Sequence, residues 1–343
     1  MKIRNTLLTS ASALVLSAGI AAATGSVGND ATISQIGNGN DMLIDQAQTV
    51  DSRAGRAVQP VEQSGENNTL SLTQSGERIN FGSNAAGSAG TALQSGDYNA
   101  LTVEQTGSRH NFTTIIQSAP SGLSLSANTA DVKQVNGNFH NIGTIIQTSA
   151  VADATGANTL SVTQTSGNSI RLTNVEQVFL GAAGDIGNSM TIMQNGPTGN
   201  ITEARQFGFQ NDMALTQTGR TNLIRSAIQD GSLNSAIVTM TGDFNNRSSS
   251  NFTDNALFAA GSLEPGIIRQ TGVSNTLNIA VNGNDNLFTL ISDDGGNTIN
   301  GITTGDFNQA VVVQDGGANS AVFTQTGNSN NLGIIQGGGI STP

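Results

Sequence analysis

The chain has 343 residues, with 42 glycines, 5 prolines, one tyrosine, no tryptophan and no cysteine. So few aromatic side chains exclude a conventional aromatic-filled core, and no disulfide is possible, so backbone ladders and packing must hold the fold together. The net charge of −11 argues against binding nucleic acid or an anionic membrane surface through bulk electrostatics.

The first 23 residues have the pattern of a secretory signal peptide. Lys2 and Arg4 give a basic start, residues 7–20 are apolar, and residues 21–23 are three alanines, which suits cleavage after a small residue. The apolar run is shorter and richer in serine and alanine than a membrane anchor. We therefore expect a signal peptide over 1–23, a secreted chain from Thr24, and no membrane insertion.

An 11-residue unit, Asn-x-φ-x-φ-x-Gln-x-Gly-x-x with φ apolar, repeats from Asn29 onward. Its seven alternating residues place Asn, both φ residues and Gln on one face of a strand. The remaining four form a turn in which glycine accepts positive φ. The turn glycines of the most regular stretch are Gly272, Gly283, Gly305, Gly316 and Gly327. The sequence therefore predicts an all-β fold, a β-solenoid of stacked two-strand coils.

The repeated amides are predicted to face inward and to stack from coil to coil. A buried amide costs about 1–3 kcal/mol when unpaired, and identical amides stacked every coil satisfy one another. The alternative, a disordered Asn/Gln-rich tract, fits the strict alternation less well. The predicted ladder residues are Asn275, Asn286, Asn297, Asn308, Gln314, Asn319, Gln325, Asn330 and Gln336, together with Gln35, Gln46, Gln74, Gln105, Gln134, Gln164, Gln194 and Gln217.

The pattern lapses at several places, which are interpreted as corner loops. Between Gln117 and Gln194 the glutamines are alternately 17 and 13 residues apart, as expected if one corner of each coil carries the extra residues. The loops at 119–127, 149–157 and 179–187 should then lie on one side. The longest lapse, 246–268, is either a long corner or a break between two blocks. A corner is favoured, because the same repeat continues on both sides, and residues 24–343 are predicted to form one repeat domain.

The junctions resemble those of the curlin repeat family, the subunits of curli-type amyloid fibres of bacteria. The matching segments include Gln94-Ser-Gly-Asp-Tyr-Asn99, Gln270-Thr-Gly-Val-Ser-Asn275, Gln314-Asp-Gly-Gly-Ala-Asn319 and Gln325-Thr-Gly-Asn-Ser-Asn330. The resemblance covers nearly all of the predicted mature chain, although Met240, Val281, Ser292 and Thr303 replace the expected Gln.

This resemblance implies a secreted subunit that polymerises with itself into extracellular fibres on the bacterial cell surface, serving biofilm matrix and adhesion like a pilus. It also implies an outer-membrane secretion pore with accessory chaperones and a nucleating subunit as partners.

Two other functions are weighed against a fibre subunit. A monomeric solenoid adhesin would use its stacked corner loops as a binding face. A polysaccharide-degrading solenoid is disfavoured, because no acidic cluster recurs on one face. His110 and His140 have no neighbours that suggest a triad or zinc site, and Asp293-Asp294-Gly295-Gly296 favours a solvated turn over a calcium site. We therefore expect no enzyme activity, cofactor or metal. Aspartates in the turns, at Asp97, Asp243, Asp306 and Asp315, are either ordinary turn residues or gatekeepers against premature assembly.

Overall fold

Strands of successive coils pair in parallel, one coil above the next. The computed structural model describes residues 2–3, 28–46, 49–56, 59–82, 91–121, 128–135, 138, 141–149, 158–165, 168, 171–182, 184–247 and 250–337. The chain divides into two compact units, Met1–Gly187 and Asn188–Pro343. Each unit is described by itself, with equivalent ladders named sheet I, sheet II and sheet III.

In the first unit, the chain passes in turn through three sheets, and most coils contribute one strand to each. Sheet I contains Asp41–Asp45, Thr69–Glu77, Ala100–Ser108, Asn128–Val132 and Asn158–Gln164, with Thr49–Val50 also paired to Thr69–Glu77. Sheet II contains Ile33–Ile36, Val61–Ser64, Thr91–Ser95, Thr114–Ser118, Ile146–Ser149 and Glu176–Phe179. Sheet III contains the short strands Lys2–Ile3, Asp30–Ala31, Arg53–Ala54, Asn80–Phe81, Asn111–Phe112, Asn141–Gly143 and Arg171–Thr173.

In the second unit, sheets I and II dominate. Sheet I contains Ser189–Asn195, Asp212–Thr218, Ser235–Thr241, Thr276–Asn282, Thr298–Thr304 and Ser320–Thr326. Sheet II contains Ala204–Phe209, Ser226–Ser232, Ile267–Val273, Leu287–Ser292, Gln309–Gln314 and Asn331–Gln336. Sheet III is reduced to Asn200–Ile201 and Leu223–Ile224, and one short helix spans Asp254–Ala260.

The register confirms the predicted all-β solenoid of stacked coils with two principal strands each. Thr276 pairs with Thr298, and Thr298 with Ser320, so one coil contains two 11-residue units. Earlier coils are longer, as in the pairing of Thr129 with Thr159. The short third strand of those coils was not predicted, because two or three residues are too few to show a period-2 pattern.

Apolar side chains from the alternating positions fill the interior of the coils. Leu277, Ile279 and Val281 are buried on one strand of sheet I, while the residues between them face outward. In the first unit, Phe81 and Phe112 stack at a corner with their ring centroids 5.3 Å apart. Each coil therefore buries its aliphatic side chains against its neighbours.

Residues 247–266 form a corner insertion between paired strands. The strands before it pair in register with the strands after it, Ser226 with Ile267 and Ser235 with Thr276. Its helix packs on the outer face of sheet II, where Ala256 and Ala259 join a buried cluster with Leu287, Ile291, Val311 and Val313. The outer faces of the strands Leu287–Ser292 and Gln309–Gln314 are therefore buried as well as their inner faces.

Several sequence predictions fall outside the described residues. The predicted signal peptide lies outside them except for Lys2 and Ile3. The backbone of these two residues pairs with Asp30–Ala31, and cleavage of the predicted peptide would remove this pairing. Residues 122–127, 150–157 and 183 of the three corner loops are also outside. The first two loops start from paired strands and lead into paired strands. Gln117, before the first loop, pairs with Gln147, before the second, and Asn128, after the first loop, pairs with Asn158, after the second. Within the described ranges, no helix has the length and hydropathy needed to cross a membrane.

Candidate functional site: the amide ladders

The predicted ladder residues occupy the inner faces of sheets I and II and the corners that lead into them. Four are only partly buried, Gln35 in the first coil of the first unit and Asn319, Asn330 and Gln336 in the last coil of the second. The others are buried, namely Gln46, Gln74, Gln105, Gln134, Gln164, Gln194, Gln217, Asn275, Asn286, Asn297, Asn308, Gln314 and Gln325. Exposure is thus concentrated where a coil lacks a neighbour.

Glutamines on sheet II form a directional ladder of side-chain hydrogen bonds. In the first unit, Gln35 Nε2 donates to Gln63 Oε1 (2.7 Å), and the same bond links Gln63 to Gln94 (2.8 Å), Gln94 to Gln117 (2.8 Å) and Gln117 to Gln147 (2.9 Å). In the second unit it links Gln206 to Gln229 (2.8 Å), Gln229 to Gln270 (2.8 Å) and Gln314 to Gln336 (2.8 Å). Every donor points toward the later coil.

The second amide hydrogen of these glutamines bonds to the backbone of sheet I. Gln229 Nε2 donates to Asp212 O (3.0 Å), and Gln314 Nε2 donates to Thr298 O (3.0 Å). The ladder therefore ties the two long sheets together across the interior as well as linking successive coils. Because both hydrogens and the carbonyl have partners, a buried amide such as Gln229 avoids the cost of an unmade hydrogen bond.

Asparagines form two further ladders at the corners, with the opposite direction. Asn68 Nδ2 donates to Asn40 Oδ1 (3.1 Å), and Asn99 Nδ2 donates to Asn68 Oδ1 (3.0 Å). In the last coils the backbone N–H of the later asparagine donates to the side-chain oxygen of the earlier one. The N–H of Asn297 donates to Asn275 Oδ1 (3.0 Å) and that of Asn319 to Asn297 Oδ1 (2.8 Å). The second ladder passes through Asn222, Asn245, Asn286, Asn308 and Asn330. Here the later coil donates to the earlier one.

The glutamine ladder of sheet I is interrupted in the second unit. Gln217 is in register with Met240, which is followed by Val281, Thr303 and Gln325. Thr303 Oγ1 donates to Gln325 Oε1 (3.1 Å), so the ladder resumes at the last coil. Gln217 is 2% exposed, and within the described chain neither atom of its amide has a hydrogen-bond partner. A thioether beside it offers no adequate partner.

All five predicted turn glycines have positive φ, from 82° at Gly316 to 133° at Gly283. Close stacking adds a second requirement at some of them. A Cβ on Gly283 would overlap the carbonyl oxygen of Gly305, and one on Gly305 would overlap that of Gly327. Glycine is needed at these positions both for its backbone conformation and for the approach of the next coil.

A ladder of turn side chains was missed by the sequence analysis. The N–H of Arg220 donates to Asp243 Oδ1 (2.7 Å), that of Asp243 to Asn284 Oδ1 (2.8 Å), that of Asn284 to Asp306 Oδ1 (2.7 Å) and that of Asp306 to Asn328 Oδ1 (2.9 Å). In the first unit, Glu66 N–H donates in the same way to Asp97 Oδ1 (2.8 Å). The signal is the Asp or Asn that directly follows the turn glycine. The sequence analysis interprets only the aspartates, as turn residues or gatekeepers.

Of the histidine and aspartate candidates, the structure describes His110, Asp293 and Asp294. His110 is buried in a corner, with its ring against the carbonyl oxygen of Thr106, and burial lowers its pKa. His140 lies outside the described residues. Asp293 forms an ion pair with Arg269 (2.7 Å). Across the ranges that the structure describes, no group of three or more His, Cys, Asp or Glu side chains is placed to hold a metal ion.

Among the described residues, the first coil of the first unit and the last coil of the second unit each present strand edges that pair with no further strand. Asn331–Gln336 and Ser320–Thr326 end their sheets in the second unit, and Ile33–Ile36 and Asp41–Asp45 end theirs in the first. Exposed edges of this kind are what most folds cover. Comparison with known proteins adds no assignment, since no protein-family model and no curated protein matches the chain.

Proposed function

We propose that this chain is a secreted structural subunit that assembles end to end into extracellular, curli-like amyloid fibres. One observation carries the proposal, namely that the glutamine ladder of sheet II and the asparagine ladders each run in one direction, up to strands that have no further partner within the described residues. Parallel strands with stacked Asn and Gln side chains are the elements of cross-β assemblies, and an exposed edge captures a further strand by β-augmentation.

The direction of the ladders makes the two ends complementary. At the end of the second unit, Gln336 Oε1 accepts from Gln314 (2.8 Å) and Gln336 Nε2 donates to Ser320 O (2.8 Å), which leaves one amide hydrogen for a following coil. At the start of the first unit, Gln35 uses its Nε2 toward Gln63 (2.7 Å), and no group of the described residues donates to its Oε1. A second copy stacked head to tail would thus continue the ladder from Gln336 to Gln35.

The asparagine ladder favours the same arrangement. No described coil follows the coil of Asn319. Its Oδ1 is therefore placed to accept from the N–H of Asn40 of another copy, as Asn297 Oδ1 accepts from the N–H of Asn319 (2.8 Å). Copies stacked in opposite directions would instead set donors against donors where two Gln336 ends meet and acceptors against acceptors where two Gln35 ends meet, and would leave buried amides unpaired at about 1–3 kcal/mol each.

The role proposed for the fibre is that of a matrix and adhesion polymer on the bacterial surface. The family resemblance of the repeat supports this role, as does the expected signal peptide. It brings with it a secretion pore, chaperones and a nucleating subunit as proposed partners. No enzymatic step is part of this proposal.

Fibre diffraction combined with seeded assembly tests the proposal. Residues 24–343 are diluted out of denaturant with and without preformed seeds, and assembly is followed by amyloid-dye fluorescence. A reflection near 4.7–4.8 Å together with a lag shortened by seeds is the expected result. A soluble β-rich monomer that ignores seeds would overturn the proposal and support the adhesin alternative.

A further inference from the structure

The outer face of sheet I in the second unit differs from every other β-face that the structure describes in this chain. Its six strands have 24 outward positions, of which ten are Thr, three are Ser, four are Asn, six are apolar and one, Asp212, is charged. In a chain with a net charge of −11, this face is almost free of charge. We call it the neutral face.

The apolar residues of the neutral face form a continuous track. Each strand has one apolar residue at one of its two central outward positions, and these are Met193, Ala214, Ile237, Ala280, Ile302 and Val322. Four are exposed, with Val322 at 72% and Ile302 at 47%. Ala214 lies directly opposite Ile237 and Ala280 directly opposite Ile302, at the strand spacing of about 4.8 Å. The other three steps are diagonal, about 7–8 Å, so the track zigzags across the six strands.

The other long outer faces carry more charge or are partly covered. The outer face of sheet II in the first unit is the most similar one, with Glu62 and Glu176 among its outward residues. The outer face of sheet I in the first unit contains Asp41, Asp45, Glu77, Glu104 and Asp131. The outer face of sheet II in the second unit contains Arg205, Asp230 and Arg269 in its earlier strands, and the helical insertion covers its later ones. The helical insertion thus covers part of the outer face of sheet II in the second unit, whereas no described segment covers the neutral face.

We infer that the neutral face packs against the neutral face of a second copy, so that columns associate side by side in pairs. Its area suits this partner. Six strands of seven residues span about 650 Å² per copy, or about 1,300 Å² for the pair, and a specific interface needs about 1,000 Å². Thr, Asn and aliphatic residues in register interdigitate in dry sheet-to-sheet contacts, and sheets packed in this way lie about 10 Å apart.

Charge makes the neutral face the preferred place for contact between two copies. Two chains that each carry a charge of −11 repel over most of their surfaces, and the neutral face is where close approach meets the least repulsion. The inference does not depend on end-to-end assembly, since the same contact between unpolymerised chains would give a dimer.

The test measures mass per unit length of fibres by scanning transmission electron microscopy, and the mass of soluble chains by sedimentation equilibrium. Wild type is compared with Ile302→Asp, and with Leu43→Asp as the matched control. Leu43 is exposed to nearly the same degree (46%) on the charged face of sheet I in the first unit. Val322→Asp provides a second, more exposed variant if Ile302→Asp fails to give the circular dichroism spectrum of the wild type.

Paired columns in wild type and in Leu43→Asp, with half that mass per length in Ile302→Asp or Val322→Asp, are the expected result. If no fibres form, the proposed function fails, while the inference still predicts wild-type dimers that Ile302→Asp reduces to monomers. Single columns or monomers in wild type, or pairing that survives both Asp substitutions, would overturn the inference.

Discussion

Gln217 and Gln229 are matched glutamines whose replacement by methionine should have opposite effects. Both are buried at equivalent ladder positions, on sheets I and II of the same unit, with exposures of 2% and 0%. Methionine has a similar length and volume and brings no amide. The two substitutions therefore isolate the contribution of the side-chain hydrogen bonds.

The expected magnitudes follow from the partners of each amide. Gln229 accepts from Gln206 (2.8 Å) and donates to Gln270 (2.8 Å) and to Asp212 O (3.0 Å). Gln229→Met removes three hydrogen bonds worth about 0.5–1.5 kcal/mol each and leaves their partners unpaired. We therefore expect it to lower the free energy of unfolding by about 2–4 kcal/mol. Gln217 makes no such bond in the described chain, so Gln217→Met removes an unpaired buried amide and should stabilise by about 1–3 kcal/mol.

Urea unfolding followed by far-UV circular dichroism measures the difference. Protein concentration must be matched between variants, because association raises the apparent stability by mass action. The midpoint should move up for Gln217→Met and down for Gln229→Met, with little change in slope. If Gln217→Met is destabilised as much as Gln229→Met, the amide of Gln217 has a partner and the account of the interrupted ladder is wrong.

Three further predictions concern a turn, a buried histidine and the insertion. Gly305→Ala should destabilise by more than about 1 kcal/mol, because φ is 112° there and a side chain is strained. Gly199→Ala, where a Cβ meets only atoms 3.7 Å away or more, should be nearly neutral in the same urea assay. Burial lowers the pKa of His110 from 6.5, against the opposing effect of backbone carbonyls, so the folded chain favours the neutral ring. Stability should therefore fall as the pH drops through 6.5. The decrease in urea midpoint from about pH 8 to about pH 5 should be smaller in His110→Gln than in wild type. An equal decrease in the two proteins would contradict this role. Gly333→Ala should displace the insertion, since a Cβ there would overlap the carbonyl of Asn255. Faster limited proteolysis of residues 250–263 is the expected readout, and unchanged cleavage would count against the packing described.

The coil and its inward amides could be predicted because both follow from short-range periodicity. Eleven-residue spacing of Asn and Gln, with aliphatic residues alternating between them, defines the strand, its inner face and its turn at once. The repeat places an asparagine equivalent to Asn297 in the same environment in successive coils. The same pattern cannot show which coil lies beside which loop, so the cover over sheet II was not foreseen.

The helix at Asp254–Ala260 is an example of structure set by tertiary contacts. Seven residues are too few to form a stable helix alone, and Thr253 makes no side-chain cap bond to it. Its N-terminal end is held instead from sheet II, where Thr253 N–H donates to Gln309 Oε1 (2.8 Å) and Ala256 N–H donates to Asn331 Oδ1 (2.7 Å). These partners lie 56 and 75 residues away in sequence, beyond the reach of a local pattern.

The turn ladder escaped sequence analysis for a related reason. Asp243 and Asp306 are good turn residues by themselves, and only the register of the coils shows that each carboxylate accepts an N–H from the coil before it. This contact gives those aspartates a structural role in the folded chain. Replacement by asparagine tests whether their charge also delays assembly, since asparagine retains the Oδ1 acceptor and removes the charge.

The positions that replace Gln suggest what the amides contribute. Met240, Val281 and Thr303 lie in inner coils of the second unit, whereas Gln325 and Gln336 belong to the last coil. Inner strands are covalently connected to the coils on both sides and pair with them in register, so an apolar side chain can replace an amide there without ambiguity. An incoming strand of another copy has no such connection, and a one-residue slip would turn its amides outward. Amides at the last coil would therefore select the register of the next subunit, which is where the proposed assembly most requires them.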